Sequence, residues 1–116
     1  MRGQVSYQLL IVVTAPLHLA IGRLGEFDFP PGRYVYTGSA KRNLEARIAR
    51  HLRPAKALRW HIDYLLNSRA ASVVEVVRSR RSECGLNRAV RGRVLCVGFG
   101  ASDCRAGCGA HLKYLD

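Results

Sequence analysis

Acidic side chains are scarce in this chain. Eight Asp and Glu stand against 19 Lys and Arg in 116 residues, a formal charge of +11. A surface so short of acids repels itself unless an anionic partner offsets it. Nucleic acid is the first candidate partner and an anionic membrane surface the second. Long apolar runs are also missing. The longest, "LLIVV", is flanked by Gln8 and Thr14, which is short for a signal peptide and far too short to span a bilayer. With no amphipathic basic helix and no lipidation motif, a membrane role is set aside and a cytoplasmic protein is expected. Repeats and linkers are absent, so residues 1–116 read as one domain. Disorder is excluded, because 48% of the residues are apolar and can fill a core.

What is present sorts into short elements. "SYQLLIVVTA" reads as a core strand, and "LHLAIGRL" alternates as a second, half-buried one. "GEFDFPPGR" has the glycine and prolines of a turn. "RYVYTGS" resumes a strand, and Ser39 is placed to cap a helix from about Lys41 to Arg53, stopped by Pro54. "LRWHIDYLLNS" suits a short helix, "SVVEVVRS" a strand, and Ser82 the cap of a helix through Val90. "VLCVGFG" reads as extended, and a Gly-rich tail from about 98 to 116 ends in "HLKYL", a last strand. The order predicts an α+β domain: a small, mainly antiparallel sheet flanked by helices.

The helix after the two tyrosines of β-like "RYVYTGS" has three zones. Leu44, Ile48 and Leu52 share one stripe. Arg42, Arg50 and Arg53 cover the opposite face. Arg47 and His51, four apart, stand along the border, where they either orient a phosphate or merely snorkel. Among the acids, Glu45 faces solvent. Glu83 sits in the first turn of its helix beside the stripe Leu86, Ala89 and Val90. A carboxylate there needs a counter-charge, a metal or helix amides, or it simply complements the helix dipole. His61 and Asp63 do not share a helical face, so they form no dyad.

Four cysteines remain. Cys96 reads as core. In a cytoplasmic protein the others are thiols or metal ligands rather than disulfides. Cys104, Cys108 and His111 lie within eight residues, beside Asp103, and Cys84 joins them if the tail folds back. Such a group is either a tetrahedral zinc site or a packed thiol cluster.

"YVYTGSAKRNLEARIARHL" resembles the second half of the motif of GIY-YIG endonucleases, with Tyr36-Thr37-Gly38 matching its second triplet and Arg47 its helix arginine. Val5-Ser6-Tyr7 keeps only the tyrosine of the first triplet, and "PLHLAIGRLGEFDF" looks like an insertion between the two. Glu83 is placed like the family's metal-binding glutamate. The texts "RHLR", "WHIDYLL", "SEC" and "GFGASDC" bring the chain nearest to the small stand-alone Uri-type branch. The resemblance covers roughly residues 5 to 91. It implies a DNA endonuclease with Mg²⁺ or Mn²⁺ on Glu83. Tyr7 or Tyr36 would position or deprotonate the attacking water, Arg47 would stabilise transition-state charge, and His51 would assist proton transfer. Arg42, Arg50, Arg53, Arg59, Arg80 and Arg81 would hold the DNA backbone. A non-catalytic nucleic-acid-binding module and a zinc-stabilised interaction domain are the alternatives. In the first two cases Tyr36, Arg47 and Glu83 are expected to converge on one concave surface.

Overall fold

Alternation along the first apolar segment decides its structure. Tyr7, Leu9, Ile11 and Val13 are buried, while Gln8, Leu10 and Val12 between them are half-buried, the period of a strand. The computed structural model describes residues 4–40, 42–54, 57–101, 104 and 107–116. Its elements are β1 (Ser6–Val13), β2 (Leu17–Ala20), β3 (Glu26–Phe29), β4 (Gly32–Ser39), α1 (Leu44–Leu52), α2 (His61–Leu66), β5 (Ala71–Ser79), α3 (Glu83–Ala89) and β6 (Leu112–Tyr114). Four strands form one antiparallel sheet in the order β5-β1-β4-β6. Strands β2 and β3 pair separately. The fold is α+β, as the element order implies. No helix among the described residues is long and apolar enough to cross a membrane.

The register of the central pair positions the site. Tyr7 lies opposite Gly38, Leu9 opposite Tyr36, and Ile11 opposite Tyr34. Directly opposed residues share a face, so Tyr7, Tyr34, Tyr36 and Gly38 are on one side of the sheet. The glycine matters there: a Cβ at Gly38 would meet the Tyr7 ring at 2.5 Å. Ile48 of α1, with Ile62 and Leu65 of α2, completes a core with Phe29 and Phe99.

Five expectations need correction. Residues 26–29 are a strand rather than turn: Phe27 and Phe29 alternate with Glu26 and Asp28, and Phe29 is fully buried. The strand expected over 17–24 ends at Ala20, and Gly22–Leu24 is a short 3-10 turn. "VLCVGFG" is turn structure, with Gly98 and Gly100 at φ +91° and +67°, although Cys96 is buried as expected. Ser39 ends β4 and caps nothing. Asn43, in the left-handed region, precedes α1, which starts at Leu44; Lys41 lies outside the described residues. The inner faces of two helices also differ. Leu52 is exposed and His51 is buried in its place. In α3, Asn87 is buried and Ala89 exposed, because the Asn87 amide donates to the Ala110 carbonyl at 2.8 Å.

Candidate active site and Cys–His cluster

Beside the Tyr7–Gly38 contact, between the central strands and the side chains of α1 and α3, opens a cleft of about 480 Å³. Tyr7 from β1, Tyr36 from β4, Arg47 from α1 and Glu83 from α3 all border it. Their elements explain why. Strand alternation brings both tyrosines to one face, with ring centroids 6.5 Å apart. Ser39, the last residue of β4, ties in both helices. Its carbonyl accepts from Arg47 Nη1 at 2.6 Å, and its hydroxyl donates to Glu83 Oε1 at 2.9 Å. Glu83 Oε2 accepts from His111 Nδ1 at 2.7 Å. His51 stands behind Tyr7, with its Nε2 2.7 Å from the phenol oxygen.

Electrostatics set what each group can do. Burial drives the pKa of Tyr7 and Tyr36 upward, so both stay protonated at neutral pH. Burial also pushes the Glu83 carboxyl up. Hydrogen bonds from His111 and Ser39, and the charges of His111 and Arg47, outweigh it and hold the pKa below the ordinary value. Glu83 is therefore an anion facing the cleft, and no other carboxylate borders the cleft among the described residues.

Trp60, just before α2, forms one wall. Three guanidinium groups lie over its ring: Arg47 at 4.9 Å, Arg50 at 4.4 Å and Arg59 at 5.3 Å from the centroid. A lone tryptophan directly after Arg59 was the available signal. His61 also borders the cleft, with Nδ1 accepting from Gly100 N–H at 2.9 Å, and burial lowers its pKa.

The six arginines expected to hold DNA divide. Arg59 borders the cleft. Arg42, Arg53, Arg80 and Arg81 are exposed away from it. Arg50 is corrected: it makes a two-pronged ion pair with Asp63, at 2.9 and 3.0 Å, and also donates to the Ala57 carbonyl. Asp63 is wholly buried and accepts from the Arg59 and Trp60 amides as well. That arginine is spent on the fold.

The tail does fold back. Ligand atoms of Cys84, Cys104, Cys108 and His111 all lie within 4.8 Å of one another, and the group could hold a metal ion. Asp103 lies outside the described residues. The sulfurs of Cys84 and Cys104 are 3.6 Å apart, and none of the four cysteines is in a disulfide. Hydrogen bonding to Cys108, with burial and Cys104, pushes the Cys84 thiol up to about 12. The Glu83 hydrogen bond holds His111 up at about 9 against the opposing effect of burial. The cluster and the cleft share residues: Cys84, Cys104 and His111 border both.

A family model described as a domain of unknown function, DUF123, matches residues 6–116. No curated protein and no solved structure matches the chain.

Proposed function

We propose that this chain, which belongs to the DUF123 family, is a divalent-metal-dependent endonuclease that hydrolyses DNA phosphodiesters in the cleft. The observation that carries the proposal is the meeting of two phenols, a guanidinium and a single carboxylate, drawn from four separate elements, around one open cavity. The resemblance to GIY-YIG endonucleases assigns the same residues.

The donor set fits a hard cation. A carboxylate has about four acceptor positions, and Glu83 uses two of them, on Ser39 and His111. One carboxylate with water completing the shell suits Mg²⁺ or Mn²⁺. Such an ion, when bound, supplies Lewis acidity to a phosphate oxygen. The remaining steps belong to the protein. Arg47, held by the Ser39 carbonyl, offers its other N–H groups to the equatorial charge of the phosphorane. With His51 in its Nδ1–H tautomer, the Tyr7 hydroxyl donates to Nε2, and the phenol oxygen keeps its lone pairs for water. As water forms the new P–O bond and the P–O bond to the leaving oxygen breaks, the water's proton passes to Tyr7, the Tyr7 proton passes to His51, and the leaving oxygen takes a proton from a water of the open cleft. The phenol stays neutral throughout, consistent with its raised pKa. Tyr36 and Trp60 wall the cleft. The exposed arginines grip the flanking phosphates. A DNA substrate and reduced thiols have the protein working in the cytoplasm.

The test is incubation of the purified chain with supercoiled plasmid, flap and single-stranded DNA in Mg²⁺, Mn²⁺ or EDTA. Nicking is expected with metal and not with EDTA, and Glu83→Gln should abolish it while DNA binding persists. Salt-sensitive binding with no cleavage of any substrate would reduce the protein to a nucleic-acid-binding module.

A further inference from the structure

We propose that Cys84, Cys104, Cys108 and His111 form a zinc centre, and that this centre clamps the cleft carboxylate Glu83 through His111. The zinc centre stands independently of the nuclease proposal; only the consequence for the cleft rests on it.

Donor chemistry comes first. Three sulfurs and one imidazole make a Cys₃His set, a structural zinc combination. Zinc–sulfur bonds of about 2.3 Å in a tetrahedron put ligand sulfurs roughly 3.8 Å apart. Cys84 and Cys104 already stand at 3.6 Å, and the four donor atoms fall within 4.8 Å of one another. A disulfide would need about 2.05 Å. Mg²⁺ and Mn²⁺ prefer oxygen, so thiolates sort the two kinds of ion between neighbouring sites.

His111 supplies an independent observation. Its ring is 2% exposed. Nδ1 is engaged by Glu83, and Nε2 is buried without a well-formed hydrogen bond, facing the thiols of Cys104 and Cys108. A buried nitrogen left unsatisfied is costly, and a metal ion takes up that lone pair. Metal-bound histidines typically donate their other N–H to a carboxylate, which fixes the ring and raises its basicity. Glu83 holds that position here.

The backbone agrees. Between Ala101 and His111 no described residue belongs to a helix or strand. Gly107 and Gly109 take φ of +74° and +82° with open space where a Cβ would stand, so these glycines serve chain direction and not packing. The buried Ala110 and the backbone hydrogen bonds of Gly109 and His111 anchor the end of the segment, and the side-chain donors give it a second anchor. Cys84 follows Glu83 directly in α3, so the ion ties the tail to the helix turn that carries the cleft carboxylate. Glu83 is thus fixed on one side by Ser39 and on the other by a metal-ligated histidine.

The full chain, purified without chelator, should carry about one zinc per molecule by elemental analysis, the complement of a single tetrahedral site. Exchange for Co²⁺ should give the intense visible bands of a tetrahedral thiolate complex. Cys108→Ser should lower zinc content, whereas Cys96→Ala, in the core and outside the group, should not. Mn²⁺ binding, followed by electron paramagnetic resonance, reads the clamp. Cys108→Ser should weaken it about tenfold or more, the scale for losing an outer-shell partner, with circular dichroism unchanged. If Cys108→Ser does not fold, the Co²⁺ spectrum of the unaltered chain still decides the centre. Zinc-free protein with no Co²⁺ thiolate bands, or a Cys84–Cys104 disulfide in the freshly purified chain, would overturn it. Zinc present with Mn²⁺ affinity unaffected by its removal would overturn the clamp. A zinc-loaded chain that cleaves no DNA leaves the centre standing and removes the nuclease proposal alone.

Discussion

Asp63 and Glu83 each lie near an arginine that stacks on Trp60, yet they are used in opposite ways. Asp63 is wholly buried and accepts four hydrogen bonds, two from Arg50 and two from backbone amides. Its acceptor positions are filled. Glu83 accepts two, and its side chain is 27% exposed at the cleft. The arginines follow suit. Arg50 is neutralised by its acid, whereas Arg47 binds a carbonyl and carries its charge to the cleft wall. A saturated acid with a matched cation holds helices together. A half-used acid beside an unmatched cation is ready for a ligand. Sequence distance does not reveal the difference, since Arg47 and Arg50 are less than one helical turn apart.

The largest effect should come from breaking the closed region. Asp63→Ala leaves Arg50 without its anion in a mostly buried position and should cost about 3–5 kcal/mol, the range for breaking a buried pair. Urea denaturation measures it, and unchanged stability would erase the contrast. The open region should answer in rate. Arg47→Ala should slow cleavage by roughly 10²–10³, as for loss of a preorganised transition-state contact, in single-turnover assays. Full activity would place the transition-state charge elsewhere.

Acid should distinguish the two regions next. Burial raises the Asp63 carboxyl, but Arg50 and the two amides overcome this and set its pKa below the ordinary 3.8. A pKa depressed in the folded state contributes stability that is complete above 3.8 and is lost as pH falls through the lower folded value. Stability curves of Asp63→Asn should therefore be flatter than those of the unaltered chain below about pH 4. Equal slopes would mean that Asp63 does not titrate against Arg50. The smallest effect concerns the arginines in binding. Arg80→Ala and Arg81→Ala should each lower the salt slope of DNA affinity by about one. Arg50→Ala, assayed where it is folded, should leave the slope unchanged. Fluorescence anisotropy across a salt series checks both.

Much of the cleft was legible because local periodicity points its side chains. Alternation turned Tyr36 to the same side as Tyr7 on a strand buried on both faces, and helical spacing put Arg47 and Glu83 beside inward stripes. The Cys–His group was legible as soft donors in a short span, with Cys84 joining only by tertiary return. Long-range partners were not legible. Nothing local announces that Ser39 serves Glu83 instead of capping a helix, or that Arg50 meets Asp63 across the loop between α1 and α2. His51 lies deeper than Leu52, and its hydrogen-bond partner there is Tyr7, a remote residue. Strand β3 was hidden by its flanks: two prolines and glycines outweighed the alternation of "EFDF".

Strand β4 is sandwiched between β1, which precedes it, and β6, which comes from residues 112–114. On a ribosome these neighbours arrive at different times. Pairing of β1 with β4 can begin once residue 39 has emerged, but Glu83 and then His111 follow much later. At about 5–20 residues per second, the floor of the cleft precedes its far wall by several seconds. A nascent chain therefore displays Tyr36 and Arg47 without the carboxylate and histidine that complete the constellation. If the cleft is catalytic as proposed, synthesis order withholds that activity until the tail docks.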